Sequence, residues 1–254
     1  MFIDTHTHYY DEWLLPDADE AIGRAVAAGV GVMIQADVDS RERKAMFAVA
    51  ERHPGVLYNM LGLYPGSVGA DWEHELSLLE PWRGKGIVAV GEIGLDYHEG
   101  REFAAEQQAA LRAQFELAAA WDLPVDIHLR DATEDFLKIL ADCAHLHLRG
   151  VLHCFTGSYE TFLQDNRHAD FSAGIGGVVT FRNASLAETV KRIPLEKIVL
   201  ETDCPYLAPS PWRGRRNESA YLPLIAEKVA LQKGLSTAEV EEATTYNARK
   251  LFGL

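Results

Sequence analysis

Signals for β-strands and α-helices alternate along the whole chain of 254 residues. Short apolar runs are each followed by a longer stretch whose apolar residues have helical spacing. Because strands separated by helices usually pair in parallel, this order predicts an α/β fold with a parallel sheet. Eight strands are predicted, at 2–8, 30–36, 56–63, 87–93, 124–128, 151–155, 171–175 and 197–202.

The length favours closure of this sheet into a barrel. A (β/α)8 TIM barrel typically has ~250 residues, and 48% of this chain is hydrophobic, enough for one large core. We therefore expect residues 1–254 to form a single TIM-barrel domain. An open doubly wound sheet is the alternative, and it is weakened because no Gly-rich nucleotide loop follows the first strand.

Helix boundaries follow from capping residues and breakers. Asp17 or Asp19 is expected to cap the first helix, and Ser236 is expected to cap the last. The predicted helices are 17–28, 40–53, 73–82, 102–121, 133–143, 221–233 and 237–252, with a further short helix on each side of the seventh strand.

Charge and cysteine content limit the possible partners. The net charge is −14, so a phosphate substrate requires local positive charge from metal ions or a basic patch. Three cysteines make a disulfide framework improbable and fit reduced thiols. No apolar run approaches the ~20 residues of a membrane helix, and a candidate metal motif begins at Asp4, which leaves no room for a leader. We expect a cytoplasmic protein with no membrane contact and no obligate protein partner.

The first strand carries a candidate metal motif. Alternate residues of a strand share a face, so Asp4, His6 and His8 are expected to point the same way. Two imidazoles at this spacing can bind one metal ion through neutral nitrogens. Asp4 is expected to orient one of the histidines.

Further histidines and acids fall at the ends of later strands. Glu92 lies at the carboxyl end of the fourth strand, His128 ends the fifth, His153 lies near the end of the sixth and Asp203 follows the eighth. In a barrel these strand ends surround one pocket, so all four should converge with His6 and His8. Four histidines and two carboxylates suit two metal ions with a bridging carboxylate, an arrangement that hydrolyses phosphate esters.

These motifs, in this order, resemble the TatD family of metal-dependent hydrolases within the amidohydrolase-like barrels. The resemblance covers essentially the whole chain and is carried by the segments Asp4–His8, Gly91–Tyr97, Pro124–Ala132, His153–Gly157, Glu201–Tyr206 and Asn247–Phe252.

The resemblance implies a hydrolase with two divalent ions per chain, either zinc, magnesium or manganese. It implies that His6, His8 and Asp203 hold the first ion, that His128 and His153 hold the second, and that Glu92 bridges them. Glu92 and Asp203 are thus the expected catalytic residues, and Asp203 could also take a proton from the attacking water. Characterised members of this family are DNases, commonly acting from the 3′ end of single strands.

Substrate contacts are expected from five residues. Tyr64 stands where the family usually has a histidine, and its ring could stack on a base. Arg130 follows His128 closely and could contact a phosphate. Arg213, Arg215 and Arg216 form a basic cluster beside Trp212, which suits single-stranded nucleic acid.

Two other functions remain open at this stage. The same metals could cleave an acyl ester or amide, as in a D-aminoacyl-tRNA deacylase or a lactonase. The barrel could also bind nucleic acid or a protein without catalysis. The complete ligand set favours an enzyme, and we expect DNA or another phosphate-containing molecule as substrate.

Overall fold

The computed structural model describes residues 1–98, 100–182 and 185–254. Within them eight strands form one parallel sheet in the sequential order β1 to β8. The strands are β1 (Phe2–Thr7), β2 (Val30–Gln35), β3 (Leu57–Met60), β4 (Ile87–Asp96), β5 (Val125–Arg130), β6 (Arg149–Leu152), β7 (Asp170–Ile175) and β8 (Ile198–Leu200).

Nine α-helices are described around this sheet, and none of them is long and apolar enough to cross a bilayer. They are α1 (Ala18–Ala27), α2 (Ser40–Arg52), α3 (Trp72–Ser77), α4 (Ala104–Trp121), α5 (Thr133–Asp142), α6 (Tyr159–Asp165), α7 (Leu186–Arg192), α8 (Leu222–Lys233) and α9 (Thr237–Phe252).

The sheet closes between β1 and the segment that follows β8. Thr7 and Cys204 form a parallel bridge, and the backbone N–H of His8 donates to the Cys204 carbonyl at 2.8 Å. The N–H of Asp203 donates to the carbonyl of His6 at 3.0 Å. The (β/α)8 barrel expected from the sequence is confirmed, and this closure brings two predicted metal-binding strand ends together.

Two elements differ from the sequence prediction in ways that matter for the site. Strand β4 runs on to Asp96, three residues beyond the predicted end, so its polar carboxyl end belongs to the sheet. The helix predicted over 73–82 stops at Ser77, and a 3₁₀ turn over Glu80–Trp82 follows it. Pro81 explains the break, because proline has no N–H to donate to the preceding turn.

The two predicted helix caps have different outcomes. Ser236 caps α9 in a complete capping box with Glu239, as expected. Asp17 stands at the N-cap of α1, but its side chain makes no cap hydrogen bond. Its carboxylate instead accepts from the guanidinium groups of Arg24 and Arg216, so it serves an ion-pair cluster.

The barrel is packed below its carboxyl end. Ile3 of β1, Met60 of β3 and Val151 of β6 belong to one buried apolar cluster, which Phe252 of α9 also joins. Residues from well-separated strands meet only across a filled interior, as in other TIM barrels. This packing fixes the strand ends that carry the polar residues.

Candidate metal centre

A cleft of about 320 Å³ opens at the carboxyl ends of the strands. This is the end at which TIM barrels carry their active sites. The residues lining the cleft combine histidines, carboxylates and tyrosines: His8, Tyr10, Asp11, Val38, Glu42, Tyr64, Glu92, His128, His153, Asp203 and Tyr206.

Three of the predicted ligands form what we call the first donor group: His6, His8 and Asp203. The Nε2 atoms of His6 and His8 are 3.1 Å apart. Asp203 Oδ1 lies 3.8 Å from His6 Nε2 and 3.4 Å from His8 Nε2. Three donor atoms at such mutual distances could contact one cation.

Glu92 stands between this group and the second donor group, which we define as His128 and His153. Glu92 Oε2 is 3.4 Å from His6 Nε2, on the side of the first group. Glu92 Oε1 is 2.8 Å from His128 Nδ1 and 4.0 Å from His153 Nε2, on the side of the second. The two oxygens of one carboxylate therefore face different histidine sets, which is the arrangement required of a bridging ligand.

The hydrogen bonds of His6 and His8 determine which ring nitrogen of each carries a proton. His6 Nδ1 lies 2.8 Å from Asp126 Oδ2, so the proton of a neutral ring is held on that nitrogen. Tyr10 donates its hydroxyl proton to the Ala36 carbonyl at 2.6 Å, so it must accept from His8 Nδ1 at 3.0 Å. When both rings are neutral, their Nε2 atoms are bare acceptors, and a cation between them would remove their repulsion. Without such a cation, the carboxylates of Asp126 and Glu92 raise the pKa of His6 despite its burial, which favours a positive charge at this place. The donor set thus fits a metal ion.

The carboxylates that orient the histidines are not the one expected. Asp126 contacts His6, and Glu201 Oε1 lies 3.0 Å from His153 Nδ1. The role expected of Asp4 is wrong, because its carboxylate accepts from the backbone N–H and the hydroxyl of Thr202 at 2.8 and 2.6 Å. Asp4 therefore ties β1 to the segment after β8.

Two glycines leave room for groups of the metal centre on neighbouring strands. Gly94 in β4 has φ +150°, and a Cβ built there would lie 1.8 Å from the carbonyl oxygen of His128. A Cβ at Gly174 in β7 would lie 2.1 Å from Glu201 Oε2. Any larger residue would displace the His128 backbone or the Glu201 carboxylate.

The electrostatics of the cluster favour positive charge. Burial alone would raise the pKa of Glu92, but His6 and His128 outweigh it and hold that pKa well below its usual range. Burial also opposes the charge on His128, yet hydrogen bonds to Asp96 and Glu92 raise its pKa to about 9. Contacts with His8 and other histidines hold the pKa of Asp203 below its usual range despite burial. The carboxylates therefore stay ionised at neutral pH.

Two of the predicted substrate contacts lie at or beside the cleft. The ring of Tyr64 lines it and packs edge-on against His128, with centroids 5.1 Å apart. Arg130 is exposed and lines an adjoining groove, which Tyr64 and Phe103 also line. Tyr64 thus stands between the two openings.

The basic cluster after β8 is divided by the structure. Arg216 donates to Asp17 and Glu218 and to the carbonyl of Trp13, so it holds the loop and we no longer expect it to contact substrate. Arg213 and Arg215 are exposed and lie over the rings of Phe181 and Trp212. These two remain predicted contacts.

Sequence reasoning missed the partners of the ligands, although a signal for some of them was present. Asp126 and Glu201 each lie two residues before a predicted ligand, so strand alternation places them on the ligand's face. Asp96 follows Glu92 by four residues on the same strand, and its Oδ2 is 2.9 Å from His128 Nε2. Tyr10 lies beyond β1 and carried no such signal.

A parallel barrel with histidines and carboxylates gathered at its carboxyl end defines the class of barrel metal-dependent hydrolases. Residues 3–253 match the family model described as TatD related DNase, and the chain belongs to that family. The resemblance identified in the sequence is therefore confirmed.

Relatives and solved structures agree with this assignment. The chain is 37% identical over 259 residues to the uncharacterized metal-dependent hydrolase YabD of Bacillus subtilis, covering 99% of each chain. It is 37% identical over 246 residues to the 3′-5′ ssDNA/RNA exonuclease TatD of Klebsiella pneumoniae, covering 94% of this chain and 92% of that protein. The crystal structure of the TatD homolog YJJV of Escherichia coli superposes with a TM-score of 0.91 at 28% identity, covering 100% of this chain and 98% of that one.

Proposed function

We propose that residues 1–254 form one catalytic domain that hydrolyses phosphodiester bonds of DNA, releasing nucleotides from the end of a single strand. The observation that carries this proposal is Glu92, whose two carboxylate oxygens face two separate histidine sets. The name of the Klebsiella relative, an exonuclease on single-stranded DNA and RNA, supports the substrate class.

The ligand assignment follows the two donor groups. His6, His8 and Asp203 would hold one divalent ion, His128 and His153 would hold a second, and Glu92 would bridge them. Two such ions supply an activated water and stabilise the leaving oxygen of a phosphate ester. Tyr64, Arg130, Arg213 and Arg215 would position the strand, and the size of the cleft, about 320 Å³, suits a single nucleotide rather than a duplex.

Asp203 is proposed as the proton acceptor. Its side chain is 14% exposed, so a water in the cleft can reach it. Its depressed pKa keeps it ionised, and the His8 contact fixes its orientation. General-base help is typically worth ~10²–10⁴-fold in rate. Asp203→Asn should therefore lower kcat by about that factor on single-stranded DNA, with a much smaller change in KM.

The test combines metal analysis with three substrates. Protein loaded with zinc, magnesium or manganese should contain about two ions per chain and cleave single-stranded DNA faster than duplex DNA or aminoacyl-tRNA. His145→Ala is the matched control, because this exposed histidine lies just before the amino end of β6. Preferred hydrolysis of aminoacyl-tRNA would favour the acyl-hydrolase alternative. A maximum of one ion under saturating metal would overturn the two-ion assignment.

A further inference from the structure

Two exposed aromatic side chains stand next to each other at one edge of the cleft. Tyr206 lines the cleft together with His8 and Asp203, and the ring of Trp13 lies beside it, with centroids 6.1 Å apart and ring planes tilted by 49°, so that a flat ligand stacks on one ring and touches the other with its edge. Trp13 is 57% exposed and Tyr206 is 44% exposed. We call these two residues the aromatic wall. Its rings contribute little to the core, so their exposure needs another explanation.

Hydrogen bonds hold the hydroxyl of Tyr206 and the backbone of both residues of the aromatic wall. The hydroxyl of Tyr206 donates to Asp11 Oδ2 at 2.7 Å, and Asp11 Oδ1 accepts from the backbone N–H of Trp13 at 2.8 Å. Arg216 donates to the Trp13 carbonyl at 2.8 Å, and Asn217 donates to the Tyr206 carbonyl at 2.6 Å. The ring of Tyr206, fixed by its hydroxyl and its backbone, loses little conformational entropy when a flat ligand stacks on it.

The charges beside the aromatic wall indicate which part of a nucleotide can bind there. Asp11 and Glu42 line the same cleft, and their mutual repulsion helps to raise the pKa of Glu42, after burial and Asp39. Carboxylates here repel a phosphate backbone. An uncharged base with an aromatic face meets no such repulsion and can stack on the rings.

We infer that the aromatic wall is a stacking subsite for one unpaired nucleobase and that it selects single-stranded substrate. This inference rests on the proposed function. The rings of Tyr206 and His8 are 6.1 Å apart, so a base on the wall adjoins a phosphate at the metal centre. A base inside a duplex is already paired and stacked on its neighbours, so it cannot offer a free face to the wall.

The test measures binding without turnover. The metal-loaded protein is titrated into a fluorescein-labelled hexathymidylate with phosphorothioate linkages, which resist hydrolysis, and anisotropy gives Kd. Six further oligonucleotides each carry one abasic residue. Wild type should lose about tenfold in affinity when one particular base is missing. Trp13→Ala should bind the intact strand about tenfold more weakly and should not respond to loss of that base.

Two variants control for a merely structural effect. Tyr206→Phe keeps the ring but not the bond to Asp11, so it should keep the dependence on the base. Tyr246→Ala removes a tyrosine that is 65% exposed on α9, next to Asn247, whose amide donates to the carbonyl of Ile198 at the start of β8. It should leave every Kd unchanged. Thermal melts of all variants verify that they fold.

The outcomes separate this inference from the proposed function. Wild-type binding that ignores the base at every position overturns the stacking subsite, even if DNA is hydrolysed. Equal weakening of intact and abasic strands by Trp13→Ala also overturns it. Base-dependent binding that Trp13→Ala abolishes supports the subsite, even if no DNA is cleaved and the proposed function fails.

Discussion

The two donor groups differ in how deeply the barrel encloses one histidine of each, His6 in the first and His128 in the second. The side chain of His6 is fully buried and that of His8 is 7% exposed. In the second group His128 is 18% exposed, and its partner Asp96 is 11% exposed and lines the groove that contains Arg130. His6 is anchored to Asp126, which is fully buried, whereas His128 reaches toward solvent. The remaining ligands run the other way, with Asp203 14% exposed and His153 4% exposed.

Because of this difference, one cleft can combine a metal-ion position that stays occupied with a second position whose ion exchanges. Donor atoms that are already fixed lose little freedom when a cation arrives, so preorganisation raises affinity. We therefore expect the first donor group to bind its ion more tightly than the second. The second position would then fill and empty at metal concentrations that leave the first occupied.

The largest effect on metal content and stability is expected when the first donor group loses His6. His6→Ala should remove the first ion and leave Asp126 as a buried carboxylate without its histidine, which costs roughly 3–5 kcal/mol of folding free energy. His128→Ala should remove only the second ion and cost far less stability. Metal content and thermal melts of both variants measure this, and equal losses of stability would contradict the comparison.

A smaller effect comes from the carboxylates that orient the ligands. Asp126→Asn keeps the size of the side chain but weakens its hold on His6, so affinity at the first position should fall ~10–100-fold. Asp96→Asn should lower affinity at the second position by less, because water can replace part of its contact. Competition with a chelator gives both affinities. A greater loss for Asp96→Asn would reverse the proposed order of the two positions.

The smallest effect concerns Tyr64, which covers the open side of the second group. Tyr64→Ala should retain both ions and raise KM for single-stranded DNA several-fold, because a stacking ring is worth ~1–3 kcal/mol at most. Tyr64→His should raise kcat, since an imidazole can donate a proton near neutral pH. Unchanged kcat and KM in both variants would reduce Tyr64 to packing against Pro65.

The ligands were predictable from the sequence because they occupy strand ends. In a barrel the carboxyl ends of all strands surround one pocket, so the convergence of His6, Glu92 and Asp203 could be predicted from the sequence alone. The same rule would have reached Asp126 and Glu201 through strand alternation. Their surroundings look like ordinary polar positions in a sequence, so nothing distinguished them from Asp4, whose partner is Thr202.

The rim of the cleft could not be predicted in this way. Trp13, Tyr206 and Arg216 lie in loops, where no periodic pattern fixes the direction of a side chain. The basic cluster after β8 suggested a phosphate contact, but Arg216 bonds to Asp17, a residue 199 positions away in sequence. Such a pairing depends on how two loops pack, and only the folded chain reveals it.

The absence of a Cβ atom at Gly174 limits which substitutions this family can accept. A single methyl group at that position would collide with Glu201, and Glu201 lies against His153, so the two positions cannot vary independently. Gly174→Ala should become tolerable only when position 201 carries the shorter aspartate. In relatives, alanine at the first position is therefore expected together with aspartate at the second, so that a residue on β7 outside the cleft would vary together with the metal centre.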